Sequence, residues 1–281
     1  MCLETKLFFE NFFKLMPDGS FNRDVEIHPS AIIEDGARLG MGIKIGPFCT
    51  IGSKAIIEDN VFIGPYSVID GCTTIGADSV LFSYVTLGAV PQHVRFKGEQ
   101  ATLIIGKKNT FKQYVNISLG TEIGHNETIV GSNNTISSFS HVGHDGIIGD
   151  NIFIGKGVHL GGHVIVQDNV HMVGMTGVHQ FVRIGKCSHL EVGSMVSQDV
   201  APFSRVQGDR ATVIGLNEDG LKIAGITGDR ADLIKKMFEF FFSKQLTLEE
   251  ALDTIHKEIP PSQDRDSFVN FVKSSERGIC R

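Results

Sequence analysis

The sequence lacks tryptophan entirely and has only five cysteines among its 281 residues, none of them in a CxxC pair. Their scattered positions suit neither a zinc knuckle nor a disulfide framework, so the chain is expected to reside in a reducing, cytoplasmic compartment. No apolar run reaches the roughly 18–20 residues that a membrane-spanning helix needs, which predicts no stable membrane insertion. An excess of basic charge is missing too. The formal net charge is −6, which argues against a general nucleic-acid binder.

The first residues, MCLETKLFFENFFKLM, are too acidic and too interrupted for a signal peptide. Their phenylalanines recur at a spacing that predicts a short amphipathic helix, with Phe8, Phe12 and Met16 among the residues on one side. We therefore expect residues 1–24 to form an N-terminal extension.

One pattern then dominates the chain: an aliphatic residue recurs every six positions. It runs without a break through Ile27, Ile33, Leu39, Ile45, Ile51, Ile57, Ile63, Ile69, Ile75, Leu81 and Leu87. It resumes in the same phase at Ile105, Phe111, Ile117 and Ile123. After one extra residue, it continues through Val130, Ile136, Val142, Ile148, Ile154, Leu160, Val166, Met172, Val178, Ile184, Leu190 and Val196.

A period of six fits neither an α-helix nor a hairpin-linked strand, but it fits a parallel β-helix of hexapeptide repeats. Each hexad supplies a short strand and a corner, its aliphatic side chain points inward, and three hexads complete one coil. Prisms of this architecture wind left-handed, so we expect a left-handed parallel β-helix over residues 25–202. Residues 88–104 leave the pattern without changing its phase, which predicts a loop thrown out from a corner.

The period stops after about Pro202, and three helical patterns follow, which predicts a C-terminal α-helical domain over residues 203–281. The first helix is expected within residues 227–244, with Leu233, Met237 and Phe240 or Phe241 on one face. The second begins with a capping box of Thr247 and Glu250. The third is expected within residues 262–278, ended by Gly278.

Counting by coils of three hexads aligns polar residues that are far apart in sequence. His144 falls beneath Gly162, Asp145 beneath His163, and His179 lies one coil above Gly161. With the one-residue shift, His125 falls one coil below His144. The count therefore predicts that His125, His144, His163 and His179 line one edge of the prism.

An isolated histidine on such an edge is usually a solvated polar residue, and we interpret His125, His159, His171 and His189 in that way. Convergent imidazoles in a groove instead favour acid–base chemistry. A zinc site remains an alternative, since three histidines at a subunit interface can bind zinc in a β-helix lyase of the carbonic anhydrase type. The spacing alone leaves both open.

Four segments carry a family resemblance: HVGHDG (141–146), LGGHV (160–164), GMTGVHQFVRIG (174–185) and PQHVRFKGE (91–99). Together they resemble the UDP-N-acetylglucosamine O-acyltransferase family, over nearly the whole chain from Val25. The resemblance implies an enzyme of lipid A synthesis that moves a (3-hydroxy)acyl group from acyl carrier protein to the 3-position of UDP-N-acetylglucosamine. It also implies a homotrimer, no metal and no bound cofactor, because the acyl group arrives on the carrier's phosphopantetheine arm.

The same resemblance implies the roles of individual residues. His144 would be the general base, Asp145 its supporting carboxylate, and the backbone N–H of Gly162 the donor to the oxyanion. Val192 would limit acyl length and predicts a short-to-medium acyl group. The expected substrate-binding residues are His93, Arg95, His141, His163, His179, Gln180, Asn217 and Asp219.

Several positions depart from the family pattern. Arg95 replaces a lysine, His93 an aspartate and Ser118 a histidine, and Ile223 and Ala224 replace an arginine pair. These departures favour, as an alternative, a related acyltransferase that uses a 3-amino sugar or a coenzyme A donor. A catalytically idle scaffold is a further alternative that the intact His144–Asp145 pair disfavours.

Overall fold

The computed structural model describes residues 24–242 and 246–281. The short strands of this region stack in parallel, coil upon coil, into a three-sided prism. The helix predicted within residues 1–16 lies outside the described residues. Among the described residues, no helix is both long and apolar enough to cross a membrane.

Twenty-eight strands of the described region are divided among three sheets, one on each side of the prism. The first sheet contains β1 (Glu26–Ile27), β4 (Lys44–Ile45), β7 (Phe62–Ile63), β10 (Val80–Leu81), β13 (Thr110–Phe111), β16 (Thr135–Ile136), β19 (Phe153–Ile154), β22 (His171–Met172), β25 (His189–Leu190), β27 (Ser204–Gln207) and β28 (Thr212–Leu216). The second contains β2 (Ile32–Ile33), β5 (Thr50–Ile51), β8 (Val68–Ile69), β11 (Thr86–Ala89), β14 (Asn116–Ser118), β17 (His141–Val142), β20 (His159–Leu160), β23 (Gly177–Val178) and β26 (Met195–Val196). The third contains β3 (Arg38–Leu39), β6 (Ile56–Ile57), β9 (Cys72–Ile75), β12 (Thr102–Ile105), β15 (Glu127–Val130), β18 (Ile147–Ile148), β21 (Ile165–Val166) and β24 (Arg183–Ile184).

The predicted inward residues form the core of the prism. From Ile45 to Val196 the hexad side chains are buried, and Ile117, Ile136 and Leu160 have no exposed surface. Ile123 is the exception: the prediction that it points inward is wrong, because it is 57% exposed in a turn over residues 122–125. The shift of hexad phase is therefore caused by a loop that carries Ile123 out of the core.

The corners repeat one backbone conformation. Non-glycine residues there adopt φ near +60°, the left-handed region, as in Tyr84 (61°), Asp145 (58°) and His163 (60°). L-residues pay a steric cost in this conformation, which surrounding contacts must offset. Two corners border the second sheet. One joins it to the first sheet, and the other joins it to the third.

The predicted loop excursion is shorter than expected. β11 continues to Ala89 and β12 begins at Thr102, so residues 90–101 leave the prism rather than residues 88–104. Ala89 still pairs with Ser118 through a bulge at the end of β11. The excursion therefore leaves from the end of the second sheet, beside the coil that precedes the HVGHDG segment.

The C-terminal region contains helices α1 (Glu218–Ile223), α2 (Asp229–Phe242), α3 (Leu248–Glu258) and α4 (Gln263–Lys273). The Thr247–Glu250 capping box at α3 is confirmed. The third predicted helix ends at Lys273, so the expectation that Gly278 ends it is wrong; Ser274 is its C-cap, and Asp199 pairs with Ile279 beyond it. The short helix α1 was not predicted.

The helices pack around a core of their own against the end of the prism. On α2 the buried residues are Ile234, Met237, Phe238 and Phe241, while Leu233 and Phe240 are partly buried. β27 and β28 follow Pro202 and extend the first sheet, with β27 parallel to β25. The domain boundary at residue 202 stays a prediction, and β structure continues beyond it to Leu216.

Candidate active site

The HVGHDG segment lies where the second sheet turns into the third. His141 opens β17 and pairs with His159 of the next coil, as the coil count predicts. Val142 points into the core, and the chain then turns through Gly143, His144 and Asp145. The left-handed backbone at Asp145 reverses the chain, which places the side chains of His144 and Asp145 next to each other at the corner.

His144 and Asp145 form a hydrogen-bonded dyad. Nδ1 of His144 lies 2.7 Å from Oδ2 of Asp145. The His144 residue is 9% exposed and the Asp145 side chain is completely buried. An ionised carboxylate can only accept hydrogen bonds, so Nδ1 carries the proton in neutral His144 and Nε2 keeps a free lone pair. This is the arrangement that a general base requires.

The carboxylate of Asp145 is surrounded by donors. Oδ1 accepts from the backbone N–H groups of Thr121 (2.9 Å) and His125 (3.0 Å), and Oδ2 accepts from the Thr121 hydroxyl (2.7 Å). Burial by itself raises the pKa of the Asp145 carboxyl, but the hydrogen bonds from Thr121, His144 and His125 outweigh it, and the pKa lies below its ordinary value. Asp145 is therefore ionised at neutral pH.

Gly162 lies one coil above His144, where the count predicts it. A methyl group added at Gly162 would lie 2.7 Å from both Cε1 and Nε2 of the His144 ring. A larger residue would collide with the imidazole, so this position requires glycine. The outer edge of the His144 ring, with Nε2, thus faces the Gly162 backbone.

Two more imidazoles contact His144. The rings of His93 and His163 lie edge-on to it, with centroids 5.2 and 5.1 Å away. His163 also stacks on Phe181 at 4.4 Å, and its Nε2 is 3.8 Å from Oδ2 of Asp145. Burial lowers the pKa of His163 and outweighs the opposite effect of the Asp145 charge. His163 is therefore neutral at neutral pH.

The prediction that His125 falls one coil below His144 is wrong, because Ile117 pairs with Val142, 25 residues on, which places residue 119 below His144. The loop nevertheless brings His125 close to the dyad. Its ring lies 6.3 Å from that of His163, and its N–H binds Asp145. His179 lies over Gly161, because β20 and β23 pair in register at Leu160 and Val178. Nη2 of Arg277 is 3.2 Å from Nδ1 of His179. His179 thus belongs to the same corner but contacts the C-terminal segment.

A cavity of about 1030 Å³ extends from the dyad along the second sheet. Of the predicted site residues, His141, His144, Gly162, His179 and Gln180 line it. Nδ1 of His141 is 2.9 Å from Oδ1 of Asn116, and burial is the main cause that lowers the His141 pKa. His93, Asp145 and His163 lie against its wall through their contacts with His144.

Sequence reasoning missed the far end of this cavity. Met195, Arg210 and Arg277 line it, and Arg277 donates to the carbonyl of Ser197 at 3.0 Å. Arg277 comes from the last residues of the chain, 98 positions from His179. The SSERGICR segment that contains it lies outside the hexapeptide repeats, so no periodicity could place it in the site.

Other predicted residues lie elsewhere in the same chain. Arg95 borders a separate depression of about 630 Å³ beside Glu122. Val192 is 58% exposed at the corner between the first and second sheets. Asn217 caps α1 and donates from Nδ2 to the carbonyl of Cys187, while Asp219 lies 3.3 Å from Lys222. Within one chain these residues do not join the dyad, and their roles stay predictions.

The described residues contain one group whose possible ligand atoms all lie within 4.8 Å of one another and could hold a metal ion. It consists of His144, Asp145 and His163. However, both carboxylate oxygens already accept hydrogen bonds from protein donors, and Nδ1 of His144 is bound to one of them. The Asp145 carboxylate accepts from four donors, two at each oxygen, which use the about four lone-pair sites that a carboxylate offers, so Asp145 could bind a metal only by giving up one of these bonds. The geometry therefore favours the acid–base dyad.

The chain is similar to known proteins over most of its length. Residues 199–280 match the second domain of the UDP-N-acetylglucosamine O-acyltransferase family, and residues 54–89 match six bacterial transferase hexapeptide repeats. A relative in Anaeromyxobacter sp. (strain Fw109-5), named acyl-(acyl-carrier-protein)–UDP-N-acetylglucosamine O-acyltransferase, is 37% identical over 91% of this chain and 99% of its own length. One of the same name in Sulfurovum sp. (strain NBC37-1) is 39% identical, with 90% and 96% covered.

Solved structures agree with this match. The UDP-N-acetylglucosamine acyltransferase LpxA from Bacteroides fragilis 9343 has a TM-score of 0.88 and 32% identity, with 91% of this chain and all of that chain covered. The enzyme from Campylobacter jejuni has a TM-score of 0.86 and 32% identity, with 91% and 99% covered. The prism is the left-handed parallel β-helix of these enzymes. The chain therefore belongs to the UDP-N-acetylglucosamine O-acyltransferase family.

Proposed function

We propose that the protein transfers a (3-hydroxy)acyl group from acyl carrier protein to the 3-hydroxyl of UDP-N-acetylglucosamine, the first step of lipid A synthesis. The observation that carries this proposal is the buried His144–Asp145 dyad, whose free Nε2 faces Gly162 in the wall of the large cavity. The names of the relatives support the choice of substrates.

The reaction needs one base that later serves as an acid. Nε2 of His144 takes the proton of the sugar 3-hydroxyl while the oxygen attacks the thioester carbonyl carbon. The tetrahedral intermediate then collapses, the C–S bond breaks, and the imidazolium returns its proton to the leaving thiolate. Asp145 stabilises the imidazolium through the 2.7 Å bond to Nδ1 and stays ionised throughout.

The negative charge of the intermediate needs a donor near the attacked carbon. Gly162 is the candidate, because its backbone borders the Nε2 edge of His144 and leaves no room for a side chain. A backbone N–H at this point would bind the oxyanion without any reorganisation. We assign this role to the N–H of Gly162.

The cavity offers separate surfaces for the two substrates. The polar residues His141, His179 and Gln180 are suited to hold the sugar beside the base. Met195, which is exposed, also lines the cavity and is suited to contact the acyl chain. Val192 stays our predicted limit on acyl length, and a chain of short to medium length is expected. No cofactor besides the carrier's phosphopantetheine arm is needed.

A cytoplasmic homotrimer is part of the proposal. Arg95, Asn217 and Asp219 do not line the cavity of their own chain. In a trimer whose cavities lie between subunits, a neighbouring copy would supply them. Asp219 is exposed on the first turn of α1, where another subunit could reach it, whereas Asn217 is buried as the cap of that helix.

The second candidate is a related acyltransferase that uses a 3-amino sugar or a coenzyme A donor. Ser118 lines the cavity, and its buried hydroxyl has no hydrogen-bond partner among the residues that the structure describes. His93 lies against the base, and Ile223 is 84% exposed where the family has an arginine. Ser118 and His93 adjoin the base or the cavity, and all three positions depart from the family pattern, which bears on the choice of donor and acceptor.

Mass spectrometry of reaction products tests the proposal. The purified protein would be given acyl carrier protein and coenzyme A thioesters of several chain lengths, with UDP-N-acetylglucosamine or its 3-amino analogue. We expect an O-acyl product from the carrier donor. A product formed only with the amino sugar or only from coenzyme A would establish the second candidate. Stoichiometric zinc in the purified protein, with no acyl product, would instead favour a zinc lyase.

A further inference from the structure

A short loop interrupts the hexapeptide phase directly below the dyad. Residues 122–125 form a turn, and the N–H groups of Gly124 and Asn126 both donate to the carbonyl of Thr121 at 3.0 Å. The loop adds seven residues to its coil, because Asn116 pairs with His141, 25 residues on, where His141 pairs with His159, 18 residues on. It also carries Ile123 into solvent. The coil keeps its buried residues Phe111, Ile117 and Val130, so the loop is an insertion outside the core of the prism.

The loop wraps around the carboxylate of Asp145. It contributes three of the four donors that the carboxylate has: the Thr121 hydroxyl, the Thr121 N–H and the His125 N–H. The fourth is Nδ1 of His144. The loop also approaches very closely at Gly124, where a methyl group would lie 2.2 Å from Cγ of Asp145. Only glycine permits this approach.

The direction of the Thr121 hydroxyl is determined by its neighbours. The N–H of Gly124 points at Oγ1 of Thr121 at 3.2 Å and occupies a lone pair of that oxygen. The hydroxyl proton is then directed to Oδ2 of Asp145, 2.7 Å away. Oδ2 is also the atom that faces Nδ1 of His144. Thr121 therefore acts on the same oxygen that selects the tautomer of the base.

We propose that Thr121 is a positioning residue of the dyad: its hydroxyl and N–H hold the Asp145 carboxylate ionised and oriented so that Nε2 of His144 is the free base. This inference rests on the acyl-transfer function proposed above. The rival interpretation is that Thr121 only stabilises its own turn. A turn-stabilising role would change the melting temperature but not the pH dependence of the reaction.

Three variants at this position separate the two interpretations. Thr121→Val keeps the branched shape and removes the hydroxyl, Thr121→Cys keeps a weak donor, and Thr121→Ser keeps the hydroxyl. We expect kcat to fall about 10-fold to 100-fold in Thr121→Val, less in Thr121→Cys, and to recover in Thr121→Ser. The KM for the sugar nucleotide should stay within about twofold, because Thr121 lies behind the carboxylate and does not line the cavity.

The pH profile of kcat/KM distinguishes the two interpretations, because a role in stabilising the turn alone would leave this profile unchanged. Without the Thr121 hydroxyl, the Asp145 carboxylate accepts one hydrogen bond fewer. Its negative charge is then less compensated and stabilises the protonated form of His144 more strongly. The acid limb of the profile should therefore move to higher pH in Thr121→Val. Thr73→Val is the matched control, because Thr73 is also fully buried and donates to a backbone carbonyl at 2.6 Å, two coils below the site.

A double substitution supplies an independent check. In Asp145→Asn the ionised carboxylate is gone, so adding Thr121→Val should cost little further activity. The assignment would be overturned if the activity losses of the two substitutions were additive, or if the pH profile of Thr121→Val matched that of the wild type. An equal loss of kcat in Thr73→Val would also overturn it. Absence of acyl transfer by the wild-type protein would instead refute the proposed function, so the two failures are distinguishable. If Thr121→Val does not fold, wild-type behaviour of Thr121→Cys would overturn the assignment.

Discussion

The two corners that border the second sheet share a backbone conformation and differ in everything else. On one side, Phe48, Tyr66, Tyr84, Tyr114 and Phe139 form a ladder of stacked rings with centroids 4.8–5.0 Å apart. Each ring is about half exposed. On the other side, Asp145 and His163 occupy the same left-handed position, and Asp145 belongs to the buried dyad.

The aromatic ladder shows how the fold compensates for an unfavourable backbone. A left-handed conformation costs an L-residue about 1–2 kcal/mol. A stacked aromatic pair returns about 0.5–1.5 kcal/mol, and Tyr84 has such a partner on each side. The corner is therefore stabilised by its side chains, coil by coil.

The dyad corner offsets the same cost with hydrogen bonds to a charge. Asp145 is 1% exposed and accepts from Thr121, His125 and His144. The left-handed backbone is the same at both corners, so it does not determine whether a corner has a catalytic role. Burial and the available donors decide whether a corner stabilises the prism or performs chemistry.

The largest effect is expected from His144→Ala. Removal of the base should reduce kcat by about 10²-fold to 10⁴-fold and leave the circular dichroism spectrum unchanged. The matched control is His171→Ala, because His171 packs edge-on against Phe153 and His189 on the first sheet, away from the cavity. Steady-state kinetics of both variants provides the measurement. Near-normal turnover in His144→Ala would contradict our assignment.

A slightly smaller effect is expected from Gly162→Ala. The added methyl group would lie 2.7 Å from the His144 ring and would displace either the base or the oxyanion donor. We expect kcat to fall about 10²-fold. Gly215→Ala is the control, since a methyl group there meets no atom within 4 Å. Equal activity of the two variants would show that the close approach at Gly162 has no catalytic role.

At the other corner, Tyr84→Ala should affect stability and not catalysis. It removes the stacking on Tyr66 and Tyr114 and should cost about 1 kcal/mol of unfolding free energy. Tyr84→Asn should recover part of that loss, since asparagine tolerates the left-handed region. Thermal unfolding and kcat would be measured on the same samples. A fall in kcat without a fall in melting temperature would show that the ladder contributes to the site.

The smallest effect concerns pH. Burial lowers the pKa values of His141 and His163 in the folded protein below their ordinary value of 6.5. As pH falls below that value, the unfolded chain binds these protons first, so folding stability decreases on acidification. Urea midpoints should be lower at pH 5.5 than at pH 7.5, and His141→Asn should reduce the difference. Asp145, with its lowered pKa, loses its contribution only at still lower pH.

Prediction from sequence succeeded where interactions are local and repeated. The six-residue period located the core from Ile45 to Val196, and the capping box at Thr247 identified the start of α3. It failed where one tertiary contact overrides the period. Ile123 matches the hexad spacing, but its loop binds a carboxylate and leaves the core. The end of α4 was misplaced because the residues after Lys273 pack on the prism at Asp199 instead of continuing the helix.

The candidate site divides in the same way. Coil counting placed Gly162 over His144 because parallel register repeats from coil to coil. Nothing in a periodic pattern indicates that Arg277 reaches the cavity, because its position depends on how the helical region packs on the prism. Likewise, Arg95 and Asp219 are predicted to bind substrate but lie away from the dyad of their own chain.

The amino-acid sequence by itself determined the prism and the neighbouring positions of His144 and Asp145, because hydrophobic period and chain adjacency are local properties. The tertiary structure decided that Thr121, 24 residues before Asp145, donates twice to its carboxylate. Burial of that charge is tolerated only when donors converge on it from distant segments. That convergence depends on the folded coil, and it is what turns an ordinary corner of the prism into a candidate active site.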